Sequence, residues 1–179
     1  MLQKLDPVAK AAVAPSLWSL WCSGFTRRWH MNPALSWADD YICAHQGRCG
    51  MLVIALFPDH SLNLLRAAIT HDAAESRVGD LSRLFKDAGG AVAAAHAALE
   101  AECLRDMGLD WDLTPLDQKR LKLVDVLDAQ LFCILRAGPE AFSPEWLTAL
   151  NGLYDKAHRL GVRARVVELV RDAQKRVTP

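Results

Sequence analysis

The chain contains 179 residues, of which 51% are hydrophobic and 23% are charged, and its 21 basic side chains equal its 21 acidic ones. A chain of this length is typically one domain with its own core, so we predict a single domain over residues 1–179. The balanced charge gives no electrostatic reason to expect a protein that binds nucleic acid or a membrane surface.

The apolar runs and the cysteines disfavour further classes. No apolar run approaches the roughly 18 residues of a membrane span, and the N-terminus lacks a secretory pattern. The five cysteines include no Cys-x-x-Cys pair, which is typical of reduced, packed thiols in a cytoplasmic protein. Cys43 and Cys49 lie near His45 in the sequence and leave a zinc site as an alternative, although no second Cys/His pair has the usual spacing.

Apolar periodicity predicts helices along almost the whole chain, and no segment alternates over the length of a strand. The predicted helices cover, in chain order, residues 16–25, 37–57, 60–75, 91–107, 115–137, 144–160 and 162–176. Ser36 is the expected N-cap of the second helix and Asp59 that of the third. Asp39 and Asp40 would lie in the first turn of the second helix, where the helix dipole favours acidic groups. The sequence therefore predicts an all-α fold.

Proline and glycine mark the later helix boundaries. Thr114-Pro115 is a cap followed by proline at the first helical position, and Ser143-Pro144 opens the next helix. Gly138-Pro139 stops the long helix between them, and Gly161 precedes the last one.

The stretch Thr70–Asp80 brings three chemically active side chains into five residues, 71–75. His71 and Glu75 would lie four positions apart on one face of a helix, and Asp72 and Glu75 three apart. An imidazole beside a carboxylate can hold one divalent cation, with the second carboxylate over it. A His-Asp dipeptide arises by chance in about one of two chains of this composition, so the interpretation depends on partners elsewhere.

Two further polar side chains are predicted to face the core from helices. His45 shares its helical face with Cys49, and a lone histidine there is more often a packed core residue than a ligand. Asp125 shares the side of Leu121, and a carboxylate placed there needs a cation, a metal or several donors. Asp128, one turn on, is the rival candidate, and a surface ion pair is the alternative.

Together, the two histidines and two aspartates would form a mixed nitrogen and oxygen site with positions left for water and substrate. This ligand set suits Mn, Co, Fe, Ni or Zn and tolerates Mg. A metal held in this way lowers the pKa of bound water and polarises a phosphoryl oxygen. The sequence therefore predicts a metal centre suited to phosphoryl chemistry.

Several motifs follow one another in a specific order. They are Arg28-Trp29, Ala44-His45, His71-Asp72-Ala73-Ala74-Glu75, Gly79-Asp80-Leu81, Lys86 and Lys122-Leu123-Val124-Asp125-Val126-Leu127. The order His … His-Asp … Asp in a helical chain resembles the HD superfamily of metal-dependent phosphohydrolases. The set is similar to bacterial 5'-deoxynucleotidases and to the compact dATP triphosphohydrolases of phages whose DNA carries 2-aminoadenine. The resemblance covers about residues 25–137, leaves the helices of 143–177 outside, and implies an HD-domain helical bundle.

The resemblance implies a set of metal ligands and a catalytic carboxylate. One divalent ion (Co²⁺, Mn²⁺, Zn²⁺ or Mg²⁺) would be held by His45, His71, Asp72 and Asp125. Asp125 is preferred to Asp128 because its flanking residues match the family pattern. Glu75, acting beside Asp72, would position or deprotonate the attacking water and pass a proton to the leaving oxygen.

The resemblance also implies a substrate site. Arg28 and Lys86 would bind phosphate oxygens, with Arg27 assisting, because phosphoryl chemistry needs fixed positive charge. Trp29 would pack on the base or sugar, and Met31 would line the base pocket. The carboxylate of Asp80 would accept from a sugar hydroxyl.

The resemblance implies a hydrolase that cleaves between the sugar 5'-oxygen and the α-phosphorus of a deoxynucleotide. In the preferred version dATP yields deoxyadenosine and triphosphate, and in the other version a dNMP loses its phosphate. The partner would be a small-molecule deoxynucleotide, not nucleic acid or a membrane, and the chain would form a homo-oligomer. An inactive regulatory helical protein and a hydrolase of another small phosphoester stay open as alternatives. His96 would be needed only for a second metal.

Overall fold

Eight α-helices and one 3₁₀ helix form the described part of the chain, and the residues described contain no β-strand. The computed structural model describes residues 17–81 and 89–177. The helices are α1 (Leu17–Ser23), α2 (Ile42–Leu56), α3 (Leu62–Ala68), α4 (Glu75–Val78), α5 (Gly90–Asp106), α6 (Pro115–Arg136), the 3₁₀ helix (Gly138–Phe142), α7 (Pro144–Arg159) and α8 (Arg163–Val177). An isolated antiparallel bridge joins Arg27 and Tyr41. The all-α prediction is confirmed, and Lys86 lies outside the described residues.

The predicted boundaries of α5 to α8 are confirmed to within one residue. Thr114 is the N-cap of α6, since its side chain accepts a hydrogen bond from the Asp117 N–H at 3.1 Å, and Pro115 follows at the first helical position. Ser143 precedes Pro144 at the start of α7, although its side chain makes no capping hydrogen bond. Local capping signals therefore suffice for this half of the chain.

The predicted start of the second helix is wrong. α2 begins at Ile42 with Tyr41 as its N-cap, and the Ser36 hydroxyl lies against the Pro33 carbonyl instead of capping a helix. The cause is Asp40, which is only 1% exposed. A buried carboxylate needs hydrogen-bond donors, and the turns that precede α2 bring Asp40 to them.

Three side chains donate to Asp40. Arg28 reaches its carboxylate at 3.1 Å, the Trp29 indole at 3.0 Å and Arg48 at 2.9 Å. These charge-assisted hydrogen bonds replace the exposed first helical turn that the sequence predicts. The segment before α2 is therefore fixed by contacts with side chains distant in sequence.

The predicted cap of the third helix is also wrong. Ser61, not Asp59, is the N-cap of α3, because its Oγ accepts from the Leu64 N–H at 3.0 Å. Asp59 pairs with Arg120 at 2.8 Å instead. The correction moves the start of the helix by two residues and leaves its register intact.

The third helix ends earlier than predicted, at Ala68 rather than near Glu75. Beyond it, the Ala73 N–H donates to the Thr70 carbonyl and the Glu75 N–H to the Asp72 carbonyl, each at 3.0 Å. Such i to i+3 hydrogen bonds close turns tighter than those of an α-helix. His71 and Glu75 therefore do not lie on one face of a continuous α-helix, as the sequence predicted.

The buried side chain of Gln46 explains this tight turn. In the amide orientation that satisfies both of its polar groups, its oxygen accepts from the N–H groups of Asp72 at 3.2 Å and Ala73 at 3.3 Å. Its nitrogen then donates to the Ile69 carbonyl at 3.1 Å. Gln46 thus replaces the main-chain partners that a continuing helix would supply.

The long helix α6 is the centre of the packing, since it contacts α2, α3, α7 and α8. Its buried Leu123, Leu127 and Ile134 belong to the main hydrophobic core, which we call the α6 core. A smaller cluster joins α1, α4 and α5; its buried members are Ala73, Ala74, Cys103, Met107 and Leu109. We call this part the α1–α4–α5 end. Among the described helices none has the length and apolar character needed to cross a bilayer.

Candidate metal centre

Four side-chain donor atoms converge at the junction of α2, α6 and the turn after α3. His45 is fully buried, as its predicted inward position requires, but it lies in the first turn of α2 and not in mid-helix. Its Nε2 lies 3.3 Å from His71 Nε2, 3.2 Å from Asp72 Oδ2 and 3.6 Å from Asp125 Oδ1. His71 Nε2 lies 3.4 Å from Asp72 Oδ1. Ligands held about 2.0–2.2 Å from one divalent ion are themselves about 3.0–3.5 Å apart, so this spacing fits a metal site.

The rear nitrogens of both imidazoles face acceptors. His45 Nδ1 lies 2.7 Å from Asp128 Oδ2, and His71 Nδ1 lies 3.1 Å from the Ala68 carbonyl oxygen. A carbonyl oxygen can only accept, so His71 carries a proton on Nδ1, and its Nε2 faces the centre. This is the arrangement that orients metal-binding histidines.

The carboxylates of Asp72 and Asp125 lie close to His45 Nε2, so a positive charge is needed between these groups. Burial by itself would lower the pKa of His45, but its hydrogen bonds to Asp128 and Asp72 raise that pKa to about 12. Burial would raise the pKa of Asp72, but the charge of His71 and the hydrogen bond from His45 hold it well below its usual range. Either a proton on His45 or a metal ion can supply the charge, and metal binding releases that proton.

The structure separates the two rival aspartates of α6. Asp125 lies on the Nε2 side of His45, whereas Asp128 lies behind the ring on the Nδ1 side. Burial would raise the pKa of both carboxyls. The charge of Lys122, whose Nζ is 2.8 Å from Asp125, lowers the pKa of Asp125. Hydrogen bonds from His45 and Arg48 lower the pKa of Asp128. Of the two, Asp125 therefore lies on the side of the candidate ligands, and Asp128 holds the rear nitrogen of His45.

Cys49 offers a different ligand set. His45, Cys49 and His71 lie close enough together to hold a metal ion. However, the Cys49 sulfur is almost equidistant from the two ring nitrogens of His45, at 3.7 Å and 3.8 Å, so it packs against the ring. Burial raises the pKa of the Cys49 thiol, which disfavours the thiolate that binds metals. The exposed Cys43 is not part of this group.

Glu75 belongs to a different element from the one predicted. It is the first residue of α4, is buried, and its N–H donates to the Asp72 carbonyl at 3.0 Å in the tight turn. It therefore does not follow His71 by one turn of a continuous helix. A general base needs a position within reach of a water molecule and not a helical spacing, so its predicted role stays open.

Arg28 and Trp29 are held by contacts within the protein. Arg28 is largely buried and pairs with Asp40 at 3.1 Å and Asp128 at 3.5 Å. The Trp29 ring stacks on Phe132, with centroids 5.7 Å apart and planes 7° apart, and Trp29 has a positive φ of 66°. Both residues fix the segment before α2. Their predicted contacts with substrate stay predictions.

The other predicted substrate residues lie nearer the surface. Arg27 is exposed and pairs with Asp39 at 3.1 Å, and Met31 is 61% exposed. Asp80 follows Gly79, whose φ of 78° favours glycine. His96 Nε2 donates a hydrogen bond to the Gly79 carbonyl oxygen at 3.0 Å. These positions do not test the predicted contacts with phosphate, base or sugar.

Sequence reasoning missed three residues that hold the centre in place. Arg48 donates through Nε to Asp128 at 2.5 Å and through Nη2 to Asp40 at 2.9 Å. Gln46 fixes the turn of His71 and Asp72, as described above. For Arg48 one signal was present, because it lies three positions after His45 and so shares its side of α2. No local pattern marks Asp40 or Gln46.

The chain was compared with protein-family models, curated proteins and solved structures, and no match was found in any of the three. The likeness to HD phosphohydrolases therefore depends on the motifs in the sequence, and the metal centre depends on the geometry described above.

Proposed function

We propose that the chain is an HD-type, metal-dependent phosphohydrolase that cleaves between the sugar 5'-oxygen and the α-phosphorus of a deoxynucleotide. The preferred reaction is hydrolysis of dATP, in which water supplies an oxygen to the α-phosphorus and deoxyadenosine and triphosphate are released. The observation that carries this proposal is that His45 Nε2 lies 3.2–3.6 Å from His71 Nε2, Asp72 Oδ2 and Asp125 Oδ1, while His71 Nε2 lies 3.4 Å from Asp72 Oδ1. We further propose a cytoplasmic homo-oligomer.

The residues fit a divalent cation for reasons of donor chemistry. Two neutral imidazoles and two carboxylates suit Co²⁺, Mn²⁺ or Zn²⁺, and Mg²⁺ is tolerated. The partly exposed side chains of His71, Asp72 and Asp125 leave one side of the centre open to water and substrate. When bound, the ion would polarise a phosphoryl oxygen and lower the pKa of a water molecule.

The chain's own side chains would perform the remaining steps. Glu75 is a buried carboxylate three residues after Asp72, and it would accept a proton from the attacking water and return one to the leaving 5'-oxygen. Lys122, 64% exposed and 2.8 Å from Asp125, would turn its ammonium group to a phosphate oxygen. Arg28 can do so only by giving up its hydrogen bonds with Asp40 or Asp128.

An incubation with dATP and Co²⁺, with dAMP in parallel and products resolved by chromatography, tests this proposal. Deoxyadenosine and intact triphosphate from dATP are expected, with at least about a 100-fold loss in Glu75→Gln. Glu102→Gln, an exposed glutamate of α5, is the matched control and should keep full activity. Product from dAMP alone would replace the triphosphatase by a mononucleotidase, and no product from either would contradict the proposal.

One observation favours a second candidate, a non-catalytic helical protein. A proton on His45, whose pKa is raised to about 12 by Asp128 and Asp72 against the effect of burial, can neutralise the cluster without a metal. Such a protein would show no change in thermal midpoint on addition of Co²⁺ or EDTA. A metal-dependent midpoint would remove this candidate.

A further inference from the structure

A second concave site lies between α1 and α4, apart from the converging metal donors. It is a cavity of about 370 Å³ lined by Ser19, Cys22, Ser23, Phe25, Thr26, Ser76 and Arg77. None of the four converging donors lines it. Its volume falls at the lower end of the range of about 300–1,000 Å³ that small-molecule sites occupy, so it suits a small organic molecule rather than a bare ion.

The lining has a definite chemical character. Among the described residues its lining contains one guanidinium group and no carboxylate, so it favours an anion. The Arg77 side chain makes no hydrogen bond or ion pair with any residue in the described ranges, although its main-chain N–H donates to the Ala74 carbonyl, and Thr26 makes no side-chain hydrogen bond there. Both are therefore available as donors, and a guanidinium binds the oxygens of a phosphate group well.

Two other side chains offer acceptors. Ser23 Oγ already donates to the Leu20 carbonyl at 2.7 Å, and Ser76 Oγ donates to the Ala73 carbonyl at 2.8 Å. Each hydroxyl has thus used its proton and presents oxygen lone pairs to the cavity. Phe25 and Cys22 add apolar surface. A ligand with a phosphate, free hydroxyls and an apolar body satisfies all of these groups.

We infer that this cavity binds a small phosphate monoester of the nucleoside monophosphate type, with Arg77 as the phosphate anchor. The site lies on the opposite side of α4 from Glu75, because Arg77 is about 200° further around the helix. Glu75 is buried while Arg77 is exposed, in agreement with this geometry. A ligand joining α1 to α4 would therefore hold the short helix that begins with Glu75; this coupling, unlike binding itself, rests on the proposed function.

Cys22 provides a direct probe, since it lines the cavity, and the exposed Cys43 lies outside it. The full chain is alkylated in EDTA with dAMP, deoxyadenosine or inorganic phosphate, and modification of each cysteine is followed by peptide mass spectrometry. At about ten times its dissociation constant, dAMP should slow Cys22 modification about ten-fold and leave Cys43 unchanged. Deoxyadenosine should protect far less.

Variants assign the effect to the proposed anchor. Arg77→Ala should abolish protection, Arg77→Lys should retain part of it, and the exposed Arg105→Ala should behave as the parent chain does. Continued protection of the buried Cys133 from modification in each variant would show that the fold is intact. The inference is overturned if dAMP does not protect Cys22, if Arg77→Ala is protected as well as the parent, or if inorganic phosphate protects equally. Because EDTA is present and no turnover is measured, these outcomes are independent of whether the chain hydrolyses dATP.

Discussion

The α6 core and the α1–α4–α5 end hold their side chains in different ways. In the α6 core, polar groups are buried and fixed by several partners: Asp128 alone contacts His45, Arg48 and Arg28. At the α1–α4–α5 end, Trp18 and Trp21 of α1 are largely exposed, and α5 has a single buried residue, Cys103. His45 and Asp125 of the candidate centre thus belong to helices of the well-packed part, whereas Glu75 begins α4 in the other part.

This difference indicates a division of roles. Donor atoms around a metal must be held in position by packing and by hydrogen bonds from other residues. Elements with few buried contacts open locally at lower free energy, and they are the ones that move when ligands bind. The proposed cavity between α1 and α4 lies in the less densely packed part, where a ligand can influence α4 without disturbing His45.

A large effect is expected for Asp128→Asn in the α6 core. The substitution removes a buried charge and leaves Arg48 and Arg28 without one carboxylate partner, so it should lower the free energy of unfolding by about 3 kcal/mol. Urea unfolding at equilibrium measures this loss. Asp155→Asn on the exposed face of α7 is the control and should change stability by less than about 0.5 kcal/mol. A loss for Asp128→Asn as small as that of the control would contradict the account.

A pair of leucine truncations sharpens the same comparison. Leu127→Ala opens a cavity in the α6 core and should cost about 2–5 kcal/mol. Leu99→Ala on α5, where the side chain is 53% exposed, should stay within about 0.5 kcal/mol. Thermal and urea unfolding of both variants test the contrast. Equal losses would mean that α5 is covered by a partner, which the proposed homo-oligomer would supply.

A smaller effect is expected at the start of α3. Ser61→Ala removes the oxygen that accepts from the Leu64 N–H and the hydroxyl that donates to Asp117 at 2.8 Å. The expected cost is about 1 kcal/mol. Asp59→Ala removes the residue that the sequence predicted as the cap and should cost less, because its partner Arg120 also pairs with Asp117. If urea unfolding showed a larger loss of stability for Asp59→Ala than for Ser61→Ala, Asp59 would be the N-cap, as the sequence predicted.

The buried Cys133 of the α6 core and the exposed Cys43 should differ in reactivity, and this test needs no substitution. Burial raises the pKa of Cys133 to about 12, so at pH 8 it stays protonated and unreactive in the folded chain. Cys43 is exposed and should react with an aromatic disulfide reagent at once. At pH 10 Cys133 is still almost entirely protonated, so its reaction should stay slow over this range. Rapid modification of Cys133 in the native protein would be inconsistent with the packing described.

Local sequence signals predicted some of these features and could not predict others. Thr114-Pro115 marks the start of α6 because the cap and the proline act within one turn, and the inward position of His45 follows from helical spacing. The turn of His71 and Asp72 is different: its hydrogen bonds come from Gln46, a residue of α2. A tight turn and a helix place apolar residues at nearly the same spacing, so periodicity extended α3 too far.

The candidate centre was predictable to the same degree. The order of the histidines and aspartates singled out four side chains that lie near one another in the fold, and the family pattern favoured Asp125 over Asp128, which agrees with the position of Asp125 on the Nε2 side of His45. Residues three apart on α6 both face inward, so only the position of the His45 ring separates them. Asp40 gave no signal, because its burial depends on Arg28 and Arg48 arriving from either side.

The most direct test of the metal centre is the thermal unfolding of the full chain with EDTA and with Co²⁺, Mn²⁺, Zn²⁺ or Mg²⁺ in turn. If the four donors hold a divalent ion, at least one metal should stabilise the chain, by about 2.7 kcal/mol at a concentration 100 times its dissociation constant. Asp72→Asn should abolish this stabilisation while Asp155→Asn keeps it. An unchanged midpoint with all four metals, or an equal shift in Asp72→Asn, would contradict the account and leave a proton on His45 as the charge that holds the cluster together.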